Sequence, residues 1–257
     1  MNSGRLHIQE LYGHANWSQA VINDALRLIT GDKAEKNQGA AAPLPFSIAF
    51  AGGKTPVPLY QQLAQVLAGY NAARNPAGAA LPPILGFAGD ERHTPGQPQW
   101  RNGQMLRDAF AMLLEKQQLQ LLDWPDSASA TTACSEMAEK LGTLATKHTD
   151  SGFGLDLCYL GLGADGHTAG IFGQPLLVAA NGLCALYQAP DHPHQRLSLT
   201  PDALLSAKSL RLLVQKSGKE TALADLTAET PKTTAGKLLQ RYLAGNPAAD
   251  CIVFLSA

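Results

Sequence analysis

The sequence lacks a CxxC pair. Its four cysteines, Cys134, Cys158, Cys184 and Cys251, are far apart and each sits in or beside an apolar stretch. That spacing argues against a zinc ribbon or a disulfide framework and for reduced, buried thiols. Charge is also scarce. Only 16% of residues are charged, and 20 Lys and Arg against 21 Asp and Glu leave a formal net charge of -1. No broad electrostatic footprint for nucleic acid is available, so an anionic ligand has to be held by a local cluster. Uncharged apolar runs are too short to span a bilayer. Met1 to Glu10, with Asn2, Arg5, His7 and Glu10, does not resemble a signal peptide. The chain therefore reads as soluble and cytoplasmic, with neither nucleic acid nor membrane as partner. No internal repeat or linker divides it, so a single domain over 1–257 is expected.

Hydrophobic residues make up 45%, enough for a large core. Short apolar runs alternate with helical patterns. Phe46–Phe50, Ile84–Ala88, Leu155–Leu160, Leu183–Gln188, Leu210–Val214 and Cys251–Leu255 read as strands. Asn16–Leu28, with Asn16 as its cap, Pro56–Ala68, Asn102–Leu114, a segment within Ala128–Lys147, Lys219–Thr227 and Ala235–Leu243 read as helices. Gly31–Pro45 reads as a loop. The alternation predicts an α/β fold with an open, mostly parallel sheet and helices on both faces. In such sheets ligands bind beyond the carboxyl ends of strands, which directs attention to the loops after Phe50, Ala88 and Leu160.

Each of those loops carries a motif. Ala51-Gly52-Gly53-Lys54-Thr55-Pro56 is a strand-to-helix turn whose glycines let backbone approach a ligand, and a helix start with free N–H groups suits a phosphate. It is not a P-loop, because Ile48 stands where that motif needs glycine. Gly89-Asp90-Glu91-Arg92 reads as a polar loop at a cleft mouth. Arg92 is suited to an anion or a polarised carbonyl there, and Asp90 to a neighbouring side chain or a sugar hydroxyl.

Gly161-Leu162-Gly163-Ala164-Asp165-Gly166-His167-Thr168 formally fits GxGxxG. A dinucleotide site needs an unbroken helix next and an acid about 20 residues on. Here Gly170, Gly173 and Pro175 interrupt, and Leu186 takes the acid's place. What remains is a glycine loop carrying Asp165 and His167. An unperturbed His titrates near about 6.5, so its imidazole is available as a base at neutral pH. Arg196, in Arg196-Leu197-Ser198-Leu199-Thr200, and Lys219, after Gly218, supply cations able to close on a phosphate. His192 and His194 have no companion ligands at metal spacing, so no metal is expected.

In this order the segments resemble the family that joins 6-phosphogluconolactonases and glucosamine-6-phosphate deaminases. The likeness runs from about Phe46 to Thr227, on Leu160–Ala169, Gly52–Pro56 and Asp90-Glu91-Arg92. Two features resemble the lactonase side: Arg as the third residue of Asp-Glu-Arg, and Gly170-Ile171-Phe172-Gly173 where deaminases carry Asn-Glu-Pro. The resemblance implies a Rossmann-like α/β domain and cofactor-free opening of a phosphorylated sugar lactone by a monomer or small homo-oligomer.

It also implies roles for residues: His167 as general base, and Gly53, Thr55, Arg196 and Lys219 as the phosphate site. The motifs themselves add Asp165 and Arg92 as candidates to assist catalysis, Gly52 and Lys54 as candidates at the phosphate, and Asp90, Asn102, Gly163 and Gly166 as candidates for the rest of the pocket. Arg101 stands where the family usually has Ser, Gly173-Gln174 replaces its Pro-Gly, and the tail from Pro231 departs from its pattern. An amino-sugar-phosphate deaminase or isomerase using Asp90 as its base, and a non-catalytic sugar-phosphate sensor, remain the alternatives.

Overall fold

The computed structural model describes residues 5–31, 44–73, 81–148, 153–190, 192–245 and 250–257. The segment expected as a loop, Gly31–Pro45, lies almost wholly outside them. Seven strands form one sheet: β1 (Arg5–Leu11), β2 (Phe46–Phe50), β3 (Ile84–Ala88), β5 (Leu119–Leu121), β6 (Leu155–Leu160), β10 (Ala207–Gln215) and β11 (Asp250–Ser256). They run in the order β1-β11-β10-β6-β2-β3-β5, every neighbouring pair parallel. β3 and β6 are buried along their whole length, as strands covered on both faces must be. β1, an edge strand, is largely exposed, and its alternation of Leu6 and Ile8 with His7 and Gln9 is too short to announce it in the sequence.

The helices are α1 (His14–Thr30), α2 (Val57–Ala73), α3 (Asn102–Ala109), α4 (Ala111–Glu115), α5 (Ala130–His148), α6 (Pro201–Leu205), α7 (Glu220–Leu226) and α8 (Thr234–Gly245). α2 contacts α1, α3 and α4, α3 contacts α4, and α6 and α7 contact α8. The connections to β2, β3 and β5 run one way along the sheet and those to β6, β10 and β11 the other, so the right-handed rule for such crossovers predicts these groups on opposite faces. Trp17 Nε1 donates to Phe254 O at 2.9 Å, and the buried Arg211 Nε lies 2.6 Å from Asp24 Oδ2, which ties α1 to β11 and β10. Asn16 is not the cap expected: α1 begins at His14 after Gly13 (φ 82), and Asn16 Nδ2 bonds back to Tyr12 O. The helix expected over Asn102–Leu114 is divided at Phe110 (φ -106, ψ 15).

A second sheet was not foreseen. β4 (Asp90–Arg92), β9 (Gln195–Leu199), β8 (Cys184–Gln188) and β7 (Leu177–Val178) are antiparallel in that order. Gly89 joins the two sheets: its N–H donates to Phe50 O at 2.9 Å, and its carbonyl accepts from Leu199 N at 2.9 Å. All four cysteines are buried. No helix of the described residues is long and apolar enough to cross a membrane.

Candidate active site

From β2 the chain runs to β3 and β5 on one side, and from β6 to β10 and β11 on the other. β2 and β6 are neighbours, so strand order reverses between them, and the crevice at such a switch point is where open α/β sheets bind ligands. The loops after β2 and β6 are two walls of one cavity of about 340 Å³, within the usual range for small-molecule sites.

The first wall is the turn Ala51–Pro56. Tyr60 Oη donates to Ala51 O at 3.1 Å from an aromatic cluster in which Phe50 lies 5.1 Å from Tyr60 and 4.9 Å from Phe110. Gly53 takes φ 90, open to glycine and costly for other residues. Gly52 lies flat against the Asn102 amide, where a Cβ would be 2.2 Å from Nδ2. Gly52, Gly53 and Thr55 line the cavity, and Thr55 Oγ1 donates to Gln215 Oε1 at 3.4 Å. Lys54, expected at the phosphate, is exposed and is not among the residues that line the cavity.

The second wall is the glycine loop. Gly163 N–H donates to His167 O at 2.8 Å and Gly166 N–H to Gly163 O at 3.0 Å, folding the loop on itself. His167 Nδ1 is 2.6 Å from Asp165 Oδ1, and the ring stacks on Phe172 with centroids 4.3 Å apart. A carboxylate only accepts, so Nδ1 carries the proton and Nε2 is left able to accept one. Gly163 makes room for the pair, since a Cβ there would be 2.1 Å from His167 Nδ1. Burial alone would raise the Asp165 carboxyl, but hydrogen bonds from the ring and backbone N–H of His167 outweigh it and hold it below its ordinary value. Asp165 and Gly166 are not in the lining. Asp165 stands behind His167, and Gly166 (φ 80) backs onto Thr233.

The floor comes from the antiparallel sheet. The expected polar loop Gly89–Arg92 is largely strand, and alternation in β4 turns Asp90 and Arg92 to one face and Glu91 to the other. Asp90 and Arg92 line the cavity with Asn102, Arg196 and Lys219. Glu91, expected at the mouth, is instead fully buried. It accepts backbone N–H groups from Asn102 (2.6 Å), Gly103 (2.8 Å) and Arg92 (2.8 Å). Arg92 Nη1 donates to Trp100 O at 2.8 Å, and Asn102 Nδ2 to Asp90 O at 2.8 Å. Arg101, the unusual residue before Asn102, turns away to Trp124 O at 2.6 Å and Asp126 at 3.0 Å.

The electrostatics favour an anion. Arg196 is buried, and its Nη1 has no hydrogen-bond partner among the described residues. Burial pulls Arg196 down, opposed by Asp90, and burial also pulls Lys219 down. Two desolvated cations on one cavity are what a phosphate would relieve. Asp90 is pushed up to about 6, first by burial and then by Glu91, with Arg196 and Arg92 opposing. The described residues contain no group of three or more His, Cys, Asp or Glu that would hold a metal ion.

Sequence reasoning missed Phe172, Gln215 and the buried role of Glu91. Reading Asp90-Glu91-Arg92 as a strand would have found the last, because alternation sends the middle residue inward. No periodicity marks Phe172 or Gln215.

A family model described as "Glucosamine-6-phosphate isomerases/6-phosphogluconolactonase" matches residues 17–242. The chain is similar to a 6-phosphogluconolactonase of Pseudomonas putida, 32% identical over 202 residues (75% of this chain, 74% of that protein). One of Synechocystis is 30% identical over 204 residues (78% and 76%). In fold it is similar to the solved 6-phosphogluconolactonase of Trypanosoma brucei, with a TM-score of 0.73 at 19% identity, covering 99% of this chain and 97% of that one.

Proposed function

The chain belongs to the family of glucosamine-6-phosphate isomerases and 6-phosphogluconolactonases, and within it we propose the lactonase reaction: hydrolysis of 6-phospho-D-glucono-1,5-lactone to 6-phospho-D-gluconate, in the oxidative pentose phosphate pathway. The observation that carries this reading is the shared cavity. His167, backed by Asp165, lines the same hollow as Thr55, Arg196 and Lys219.

The phosphate is held by Arg196, Lys219, Thr55 and the Gly52-Gly53 backbone, which aims the lactone carbonyl at His167. Nε2 takes a proton from water as the water attacks C1, then returns it to the ring oxygen as the C1–O bond breaks. Within the glycine loop the Gly163, Gly166 and His167 N–H groups bond to loop acceptors. Arg92, held in place by Trp100 O, is the donor proposed for the oxyanion. Asp90 and Asn102 meet the sugar hydroxyls. The buried thiols suit a reducing compartment, and the cytoplasm is the proposed location.

The test compares acid release from the phosphorylated lactone and from unphosphorylated gluconolactone with ammonia release from glucosamine 6-phosphate. The reading expects strong preference for the phosphorylated lactone and no ammonia. Ammonia release with Asp90 required would instead establish the deaminase.

A further inference from the structure

The start of the last helix reaches the loop that carries His167. Ala235 N–H donates to Gly166 O at 2.9 Å. Thr233 packs against the Gly166 α-carbon so closely that a Cβ there would lie 2.3 Å from its Cγ2. Gly166 immediately precedes His167 and has φ 80, so a residue with a side chain would be both strained and obstructed. The outer surface of the glycine loop is thus seated on the start of α8.

That start is itself held. Thr233 Oγ1 accepts Gly236 N–H at 3.1 Å, the bond of an N-cap. The same hydroxyl donates to Asp225 Oδ2 at 2.5 Å, and Asp225 also accepts Thr233 N–H at 2.9 Å and Lys232 N–H at 2.9 Å. These bonds hold the Asp225 carboxyl below its ordinary value. Gly236 admits the arrangement, since a Cβ there would be 2.6 Å from Asp225 Oδ2. Asp225 lies in the last turn of α7, and the residue before α7 is Lys219. One short helix therefore joins a cation of the cavity to the support of the base.

We infer that Asp225 and Thr233 are positioning residues for His167: the Asp225–Thr233 latch fixes the α8 start against Gly166 and so sets the imidazole's place over the cavity. The inference deepens the lactonase reading and rests on His167 being its base. Neither residue lines the cavity, so their effect travels through the loop backbone.

The experiment uses the full chain with Thr233→Val, which keeps a branched side chain against Gly166 but loses the hydroxyl, and Thr233→Ser, which keeps the hydroxyl. Asp225→Asn serves as a third variant. Two quantities are read: kcat and KM on the phosphorylated lactone, and the ¹⁵N-edited resonance of the His167 Nδ1–H, identified by its loss in His167→Gln. Thr233→Val is expected to lower kcat on the order of 10-fold with KM changed by less than about twofold, and to shift or broaden the Nδ1–H resonance. Thr233→Ser is expected to restore both. A lower melting temperature with wild-type kcat and resonance would make the latch merely structural and overturn the inference. If the wild-type protein fails to turn over lactone, the resonance still decides: its movement in Thr233→Val upholds positioning of His167 while the lactonase reading falls.

Discussion

Glu91 Oε1 accepts the backbone N–H of Asn102 at 2.6 Å, although neither residue's motif predicts the contact. This bond and its neighbours join β4 to the first turn of α3 and hold two cavity residues, Arg92 and Asn102, in register. A carboxylate among helix N-terminal N–H groups is favoured by the helix dipole. Glu91→Ala leaves the buried Asn102 N–H and the half-buried Gly103 and Arg92 N–H groups unmet and is expected to cost about 3 kcal/mol, with Glu91→Gln costing less. Urea denaturation checks this, and a loss under about 0.5 kcal/mol for the alanine variant would refute it.

Arg196 and Lys219 are expected to act on binding. Removing a charge-assisted bond to phosphate forfeits about 1.5–3 kcal/mol, so Arg196→Met or Lys219→Met should raise KM roughly 10- to 100-fold on the phosphorylated lactone. Rates with unphosphorylated gluconolactone should hardly change. Equal loss on both substrates would move these residues out of the phosphate site.

Asp165→Asn keeps the shape of the side chain but weakens the acceptor that orients His167. The expected result is a fall in kcat smaller than that of losing the base, itself ~10²–10⁴-fold, with KM little changed. Steady-state kinetics decide it, and an unchanged kcat would leave Asp165 without a role.

Asp90 gives stability a pH dependence. Its folded value of about 6 lies above its ordinary 3.8, so the folded state binds the proton more tightly. The resulting stability is complete below about 3.8 and lost as pH rises through about 6. Asp90→Asn removes this penalty. It should match wild type near pH 4 and exceed it at pH 8 by up to about 3 kcal/mol. Denaturation across that range is the check, and a pH-independent difference would exclude titration of Asp90 near 6.

Much of this was legible in sequence because the buried parallel strands have no polar face to disguise them. Phe46–Phe50, Ile84–Ala88 and Leu155–Leu160 match the structure end to end, and the loops after them form the cavity. What stayed hidden lacks such a signature. β1 is exposed, β4 is three charged residues, and β7 is two residues long, so of the antiparallel floor only β8 was legible as a strand, without the neighbours it pairs with. Lys54 was drawn toward the phosphate by its neighbours' chemistry, and its exposure outside the cavity lining is not legible in them. The seat of Gly166 on Thr233 joins residues far apart in the chain, beyond the reach of any local pattern.

The most direct measurement is enzyme-dependent acid release from freshly prepared 6-phospho-glucono-1,5-lactone, corrected for spontaneous opening, for wild type and His167→Ala. The account predicts rapid release by wild type and a kcat lower by ~10²–10⁴-fold in the variant, with KM nearly unchanged. Release by His167→Ala at the wild-type rate, or none above background by wild type, would contradict it.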